Sequence, residues 1–247
     1  MKKLISLIIT AVLLCTSASA QTIGVLCYHS VSDNPLKLSA YCISEEEFES
    51  DIQHFKAQGY NIVKPCGMWY AEGDKNVVFT FDDGYDDFYY NVFPILKKYN
   101  VCAAVYIIGS KINKSGYLTS AQIKEMYDSG LVEIGNHTHI MHKRQKEVLQ
   151  GYYNDAVLVN EVISDIRRCS DEIARITGKA TESMSYPYGV YSTRLDSALR
   201  NMGFTTSFST SPGTLNKKSD FQMPIKRIYR IHGDTPQKIT DMINKYR

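Results

Sequence analysis

The sequence predicts an α/β fold: a parallel sheet with helices packed outside it, either a closed barrel or an open doubly wound sheet. Three observations predict it. Strand-like and helix-like segments alternate along the chain. No internal repeat, low-complexity tract or long linker interrupts them. The 247 residues can bury one sizeable core, and α/β barrels use this length as a single domain.

Taken in order, Ile23 to Tyr28 is a short apolar run, followed by a polar loop rich in Ser, Asn and Pro. Ser44-Glu45-Glu46-Glu47 has the form of a capping box, and Phe48, Ile52 and Phe55 recur at helical spacing before Gly59. Cys66-Gly67-Met68 reads as a helical turn that carries Trp69 into the core. Val77 to Phe81 is β-branched and aromatic, as a buried strand should be. Asn91 to Tyr99 reads as helix and Val101 to Ile108 as a second buried strand. Thr119-Ser120-Ala121-Gln122 opens a helix that Gly130 terminates, and Leu131 to Gly135 is a strand. A long helical stretch covers about Lys146 to Thr177, and Ser183 to Tyr186 is strand-like. Ser192 to Met202 is helical with Gly203 as its stop, and Thr205 to Ser209 and Arg227 to Ile231 are late strands. Thr235-Pro236 starts the final helix with proline at its first position.

The first twenty residues stand apart. Met1-Lys2-Lys3 is basic, Leu4 to Leu14 is almost uninterrupted apolar sequence, and Ala18-Ser19-Ala20 supplies small residues before Gln21. This reads as a secretory signal peptide, because the apolar stretch is short for a membrane span and an A-x-A site follows it. An uncleaved anchor is the alternative. Removing Met1 to Ala20 leaves 227 residues with equal numbers of acidic and basic side chains. That balance argues against nucleic acid and against an electrostatic membrane-surface role. The expectation is a secreted or cell-envelope monomer with no integral span after cleavage. Its five cysteines, Cys27, Cys42, Cys66, Cys102 and Cys169, form no C-x-x-C pair and no structural zinc pattern.

In an α/β sheet the chemistry collects at the C-terminal ends of the strands. Directly after the Val77–Phe81 strand comes Asp82-Asp83-Gly84, with Asp86 and Asp87 close behind. Adjacent carboxylates are costly unless something positive or a shared proton sits beside them, and Gly84 lets the chain turn so that both point one way. A lone Asp-Asp is most often a solvated helix-capping turn. Directly after the Leu131–Gly135 strand, however, come His137, His139 and His142, half of the chain's six histidines. Imidazoles clustered with a carboxylate at strand ends suit a divalent metal with an open position for water. Together the two motifs point to a divalent-metal hydrolase.

These residues resemble a known family. Thr80-Phe81-Asp82-Asp83-Gly84 resembles the T-F-D-D-G signature of polysaccharide deacetylases, the nodulation-type (NodB) domain of carbohydrate esterase family 4. Val25-Leu26-Cys27-Tyr28-His29-Ser30-Val31 is similar to the leading Y-H-x-V segment of many secreted members. Glu133-Ile134-Gly135-Asn136-His137-Thr138 resembles the second motif, and Tyr186-Pro187-Tyr188-Gly189 the core of the third. Met223-Pro224 with Lys226-Arg227-Ile228 resembles the late P-R-I segment. The resemblance implies a distorted, irregular (β/α) barrel, expected to have seven strands, over residues 21–247. It implies an enzyme that removes N-acetyl groups from an N-acetylglucosamine-containing polysaccharide of the cell wall or an exopolysaccharide.

Carried over by position, Asp82 is implied as the catalytic base and Asp83 as a metal ligand. The longer form of the second motif, with His137 and His142 as the other ligands, is similar to the branch of poly-β-1,6-N-acetylglucosamine deacetylases; His139 is the alternative ligand. Zinc is the implied metal, with cobalt, nickel and manganese open. Tyr188 is implied as the backbone oxyanion donor, with Pro187, Tyr186 and Tyr85 around the substrate. The sequence departs from the family twice: Ser185 stands where an Arg usually holds the base, and Arg230-Ile231-His232 replaces an L-x-H motif. His232 and His29 are therefore two candidates for the general acid. An O-acetyl carbohydrate esterase and an inactive carbohydrate-binding relative are the other readings.

Overall fold

The computed structural model describes residues 21–143, 156–217 and 224–247. The signal peptide read at Met1–Ala20, the start of the helix read from Lys146, and Met223 lie outside them.

Strand β1 (Thr22–Tyr28) is the spine of the sheet. It runs parallel to β5 (Lys75–Phe81) through seven registered pairs, from Thr22 opposite Lys75 to Tyr28 opposite Phe81. The order continues through β6 (Ala103–Ile107), β7 (Val132–Asn136), β8 (Ser183–Ser185) and β9 (Thr206–Phe208), each parallel to its neighbour. Phe208 then bridges Ile225, and three residues later β11 (Ile228–Tyr229) pairs parallel with Leu26 and Cys27 of β1. Seven parallel strands thus curl into a distorted barrel whose last joint is a single bridge. The two short pairings β4 (Asn61–Ile62) on β5 and β10 (Leu215–Asn216) on β1, the latter antiparallel, extend its lower edge. A separate ribbon of β2 (Ser30–Val31) and β3 (Cys42–Ile43) stands beside the upper end of β1.

The two faces of each strand have different partners, as the period of two requires. Ile23, Val25, Val78, Ala104, Tyr106, Phe208 and Ile225 form one cluster inside the barrel. Leu26, Val77, Phe79, Phe81, Val105 and Ile134 face the helices in the main cluster. Every residue of β1 is buried, which is why that segment reads as a continuous apolar run.

The helices start where their caps predict. α1 (Glu45–Ala57) has the full capping box: Ser44 Oγ accepts the Glu47 N–H at 3.1 Å, and Glu47 Oε2 accepts the Ser44 N–H at 2.8 Å. Phe48, Ile52 and Phe55 are its fully buried stripe. A short turn, α2 (Pro65–Met68), delivers Trp69, which is half-buried and donates to Thr206 Oγ1 at 3.1 Å. α3 (Phe93–Tyr99) is preceded by a π-helical turn at Phe88–Val92, so this element begins three residues before the predicted Asn91. α4 (Ser120–Asp128) is capped by Thr119, and Gly130 follows it at φ 73°. α5 (Ala156–Thr177), α6 (Thr193–Asn201) and α7 (Pro236–Lys245) complete the outer layer. The five described cysteines are all free; Cys27, Cys42 and Cys169 are buried, whereas Cys102 lies half-buried just before β6.

Candidate active site

The upper ends of β1, β5, β7, β8, β9 and β11 carry His29, Asp82–Asp83, His137, Tyr186–Tyr188, Thr210 and Arg230–His232 respectively. Most of them meet around a cavity of about 650 Å³ at this rim.

Asp82 continues the inward-facing series Val78, Thr80, Asp82 and is 3 % exposed. Its carboxylate is clamped by a buried guanidinium: Arg227 Nη1 donates to Oδ1 at 2.9 Å and Nη2 to Oδ2 at 2.7 Å. Ser185 Oγ donates to Oδ2 at 3.0 Å and accepts from Arg227 Nη2 at 2.9 Å. The residue that stands where the family has Arg is therefore a bridge between Asp82 and an Arg from a later segment. Burial alone would raise the Asp82 carboxyl, but the Arg227 charge outweighs it and holds the group well below the usual carboxylate range. The P-R-I resemblance names Arg227 without giving it this role; the missing cation at position 185 is the signal for it.

Asp83 and Gly84 take left-handed backbone conformations, φ 75° and 73°, which swing consecutive side chains onto different points. A Cβ at Gly84 would stand 3.3 Å from Ile107 Cα, a tight contact that adds to the conformational preference for glycine here. Asp83 Oδ1 lies 3.1 Å from His142 Nε2 and 3.5 Å from His137 Nε2. All three ligand atoms fall within 4.8 Å of one another. A tetrahedral zinc with bonds near 2.0–2.1 Å separates its ligands by about 3.4 Å. The donor set fits such an ion. His137 Nδ1 donates to the Ser185 carbonyl at 2.7 Å, which leaves Nε2 as the ligand atom. Burial disfavours the imidazolium of His137, but the Asp82 and Asp83 carboxylates outweigh that and raise its pKa, so a proton competes with a cation here.

His139 is not in this group. Its ring packs over Gly109, where a Cβ would meet Nδ1 at 2.5 Å, and that nitrogen lies 3.9 Å from Glu172 of α5. A second group, Cys27, His29 and Asp82, is equally close. Its carboxylate is already engaged by Arg227 and Ser185, which disfavours a cation there.

His29 lines the cavity, with its ring between Tyr41 (centroids 5.3 Å apart) and Tyr229 (6.0 Å, 14° between planes). Burial lowers its pKa, against the pull of Asp82 and Asp83. His232 does not reach the cavity lining. Its Nδ1 is 2.7 Å from Glu47 Oε2 on α1, and its side chain is 41 % exposed. Tyr186 is fully buried and donates to Asp196 of α6 at 3.0 Å, so it supports the rim from below and cannot touch substrate. Pro187 is also buried, whereas Tyr188, at φ 56°, lies at the mouth with its ring 5.2 Å from that of His142. Tyr85 forms part of the lining beside Tyr117, and burial with the nearby Asp83 raises its pKa.

A sequence model described as polysaccharide deacetylase matches residues 70–207, more than half of the chain. The chain belongs to the polysaccharide deacetylase family. It is 28 % identical over 200 residues to the putative polysaccharide deacetylase YxkH of Bacillus subtilis (strain 168), covering 78 % of this chain and 66 % of that one. It is 26 % identical over 203 residues to the poly-beta-1,6-N-acetyl-D-glucosamine N-deacetylase of Staphylococcus aureus (strain MRSA252), covering 76 % and 68 %. The chain thus spans about two thirds of the length of these curated relatives. Among solved structures it is similar to a de-N-acetylase from Aggregatibacter actinomycetemcomitans, with a TM-score of 0.78 and 25 % identity over 90 % of this chain and 100 % of that one. The matched stretch of this polysaccharide deacetylase contains Asp82, Asp83, His137, His142 and Ser185, while His29 and Arg227 flank it on either side.

Proposed function

We propose that this chain is an exported, metal-dependent hydrolase that removes N-acetyl groups from an N-acetylglucosamine-containing polysaccharide, with residues 21–247 as its deacetylase domain. One observation carries the reading. The Asp83–His137–His142 donor set stands beside a separately clamped carboxylate, Asp82, in one open cavity. Among the described residues no helix is long and apolar enough to cross a membrane, which is compatible with export by the Met1–Ala20 segment.

Asp83, His137 and His142 would hold a divalent cation, zinc first, which would supply Lewis acidity to the acetyl carbonyl and to a water. Asp82 accepts the proton of that water as it adds to the carbonyl carbon. Arg227 and Ser185 keep the carboxylate aimed at the cavity and ionised. The Tyr188 backbone N–H is assigned to the oxyanion. As the carbon–nitrogen bond breaks, His29 gives a proton to the departing sugar amine, and acetate leaves. His29 takes this role in preference to His232 because it lines the cavity with Asp82. Tyr85 and Tyr188 offer flat rings to sugar faces at the mouth.

The test is acetate release from a poly-β-1,6-N-acetylglucosamine oligomer with added zinc or cobalt. Activity is expected in the native chain and a loss of roughly 10²–10⁴-fold in Asp82→Asn, the range of general-base catalysis. Release from O-acetylated sugar alone favours the esterase; no release from either substrate by the metal-loaded chain overturns both.

A further inference from the structure

We infer that Asp165, on α5, is a positioning residue that closes the 137–142 loop and so presents His142 to the metal. This rests on the reading of His142 as a ligand.

Two ligands five residues apart at a strand end have no regular geometry to hold them. Here β7 ends at Asn136, and Thr138 turns back at φ 67°. The next three backbone N–H groups converge on one carboxylate. His139 N–H donates to Asp165 Oδ2 at 2.7 Å, Ile140 to Oδ1 at 3.0 Å, and Met141 to Oδ2 at 3.2 Å. Successive N–H groups in a turn form an anion-binding concavity, and here the chain fills it with its own side chain. Asp165 is 7 % exposed, so these are charge-assisted bonds sheltered from water. From the other side, Gly109 and Ser110 donate to the Thr138 and His139 carbonyls at 2.9 and 3.2 Å. Asn136 ties the base of the loop to the same helix through the Ile166 carbonyl at 2.8 Å. The imidazole that emerges is His142, 3.1 Å from Asp83.

The spacing of the two histidines is therefore specified by a carboxylate more than twenty residues downstream. Asp165→Asn removes the charge and turns an N–H donor toward backbone N–H groups that need acceptors. Helix α5 keeps its fold, because position 165 serves the loop and not the helix stripe of Val159, Val162, Ile166 and Ile173.

The experiment is a competitive zinc titration of the native chain, His142→Ala, Asp165→Asn and the double variant. Zinc affinity is expected to fall roughly 10–100-fold in Asp165→Asn, the usual effect of losing a residue that orients a ligand. Asp165→Asn should cost little more once His142 is gone, because the two act through one ligand. Unchanged zinc affinity in Asp165→Asn, or full additivity with His142→Ala, overturns the inference while leaving the metal site standing. A native chain that binds no zinc, or a His142→Ala variant that binds it as well as the native chain, overturns the metal reading and the inference with it. A measurement on the metal-free native chain is independent of how the variant folds: the amides of His139, Ile140 and Met141 should be protected from hydrogen exchange. Exchange at the rate of exposed loops there also overturns the inference.

Discussion

At the scale of single residues, the decisive interaction is the one between Asp82 and Arg227. Both are buried, and each is the other's compensation. Arg227→Met leaves an unpaired carboxylate in the barrel and is expected to destabilise the chain by about 3–5 kcal/mol. Asp82→Asn/Arg227→Met should recover much of that loss in urea denaturation. Asp87 behaves oppositely to Asp82. Burial pushes its carboxyl up to about 6, against the opposing pull of the Ser30 hydroxyl, the Lys37 charge and the Val31 backbone. The folded chain then holds a proton that the unfolded chain, at an ordinary value near 4, has already released. Stability is therefore lost as pH rises from about 4 to about 6. Asp87→Asn is expected to be more stable than the native chain at pH 7, by about 1–2 kcal/mol, with the difference gone below pH 4. Denaturation midpoints at several pH values check it.

At the scale of elements, strand and helix boundaries were legible wherever a local rule decides them. Ser44, Thr119 and Thr235 cap α1, α4 and α7 as their spacing indicates. The π-helical turn before α3 and the bridge at Ile225 were not, because neither leaves a periodic trace. Asp83 and His137 were legible because each stands just beyond a buried apolar strand, whereas His142, six residues past the end of β7, was reached only through the spacing of the family motif. Arg227 was hidden because its partner is 145 residues away in sequence. His232 shows the same limit. The sequence places it at a strand end, yet Glu47, already the partner of Ser44 in the capping box of α1, holds it 2.7 Å away and also accepts the Gly233 N–H at 2.7 Å. Glu47 thus fastens α1 to the turn before α7. Glu47→Gln is expected to lower stability by about 1–2 kcal/mol, a fall in Tm of about 3–6 °C. His232→Ala should keep its acetate release within about threefold, whereas His29→Ala should lose roughly 10²-fold or more. Comparable losses in the two would return the acid role to His232.

At the scale of the whole molecule, the barrel brings residues from 29 to 227 to one rim, so cation binding and folding are linked. Zinc at about 100 times its Kd should add about 2.7 kcal/mol of stability, or roughly 5–10 °C in Tm, and a chelator should remove it. A chain whose Tm ignores both has no folded-state metal site. The last bridge of the barrel has a temporal meaning as well. A polypeptide emerging from its N-terminus has delivered Asp83, His137 and His142 by residue 142, but the guanidinium that neutralises Asp82 arrives only at residue 227. Until that strand docks, closing the barrel would bury the Asp82 carboxylate without its counter-charge, at a cost of several kcal/mol. The segment that seals the cylinder is also the one that brings Asp82 its counter-charge, so a chain short of residue 227 has neither a closed barrel nor a compensated carboxylate.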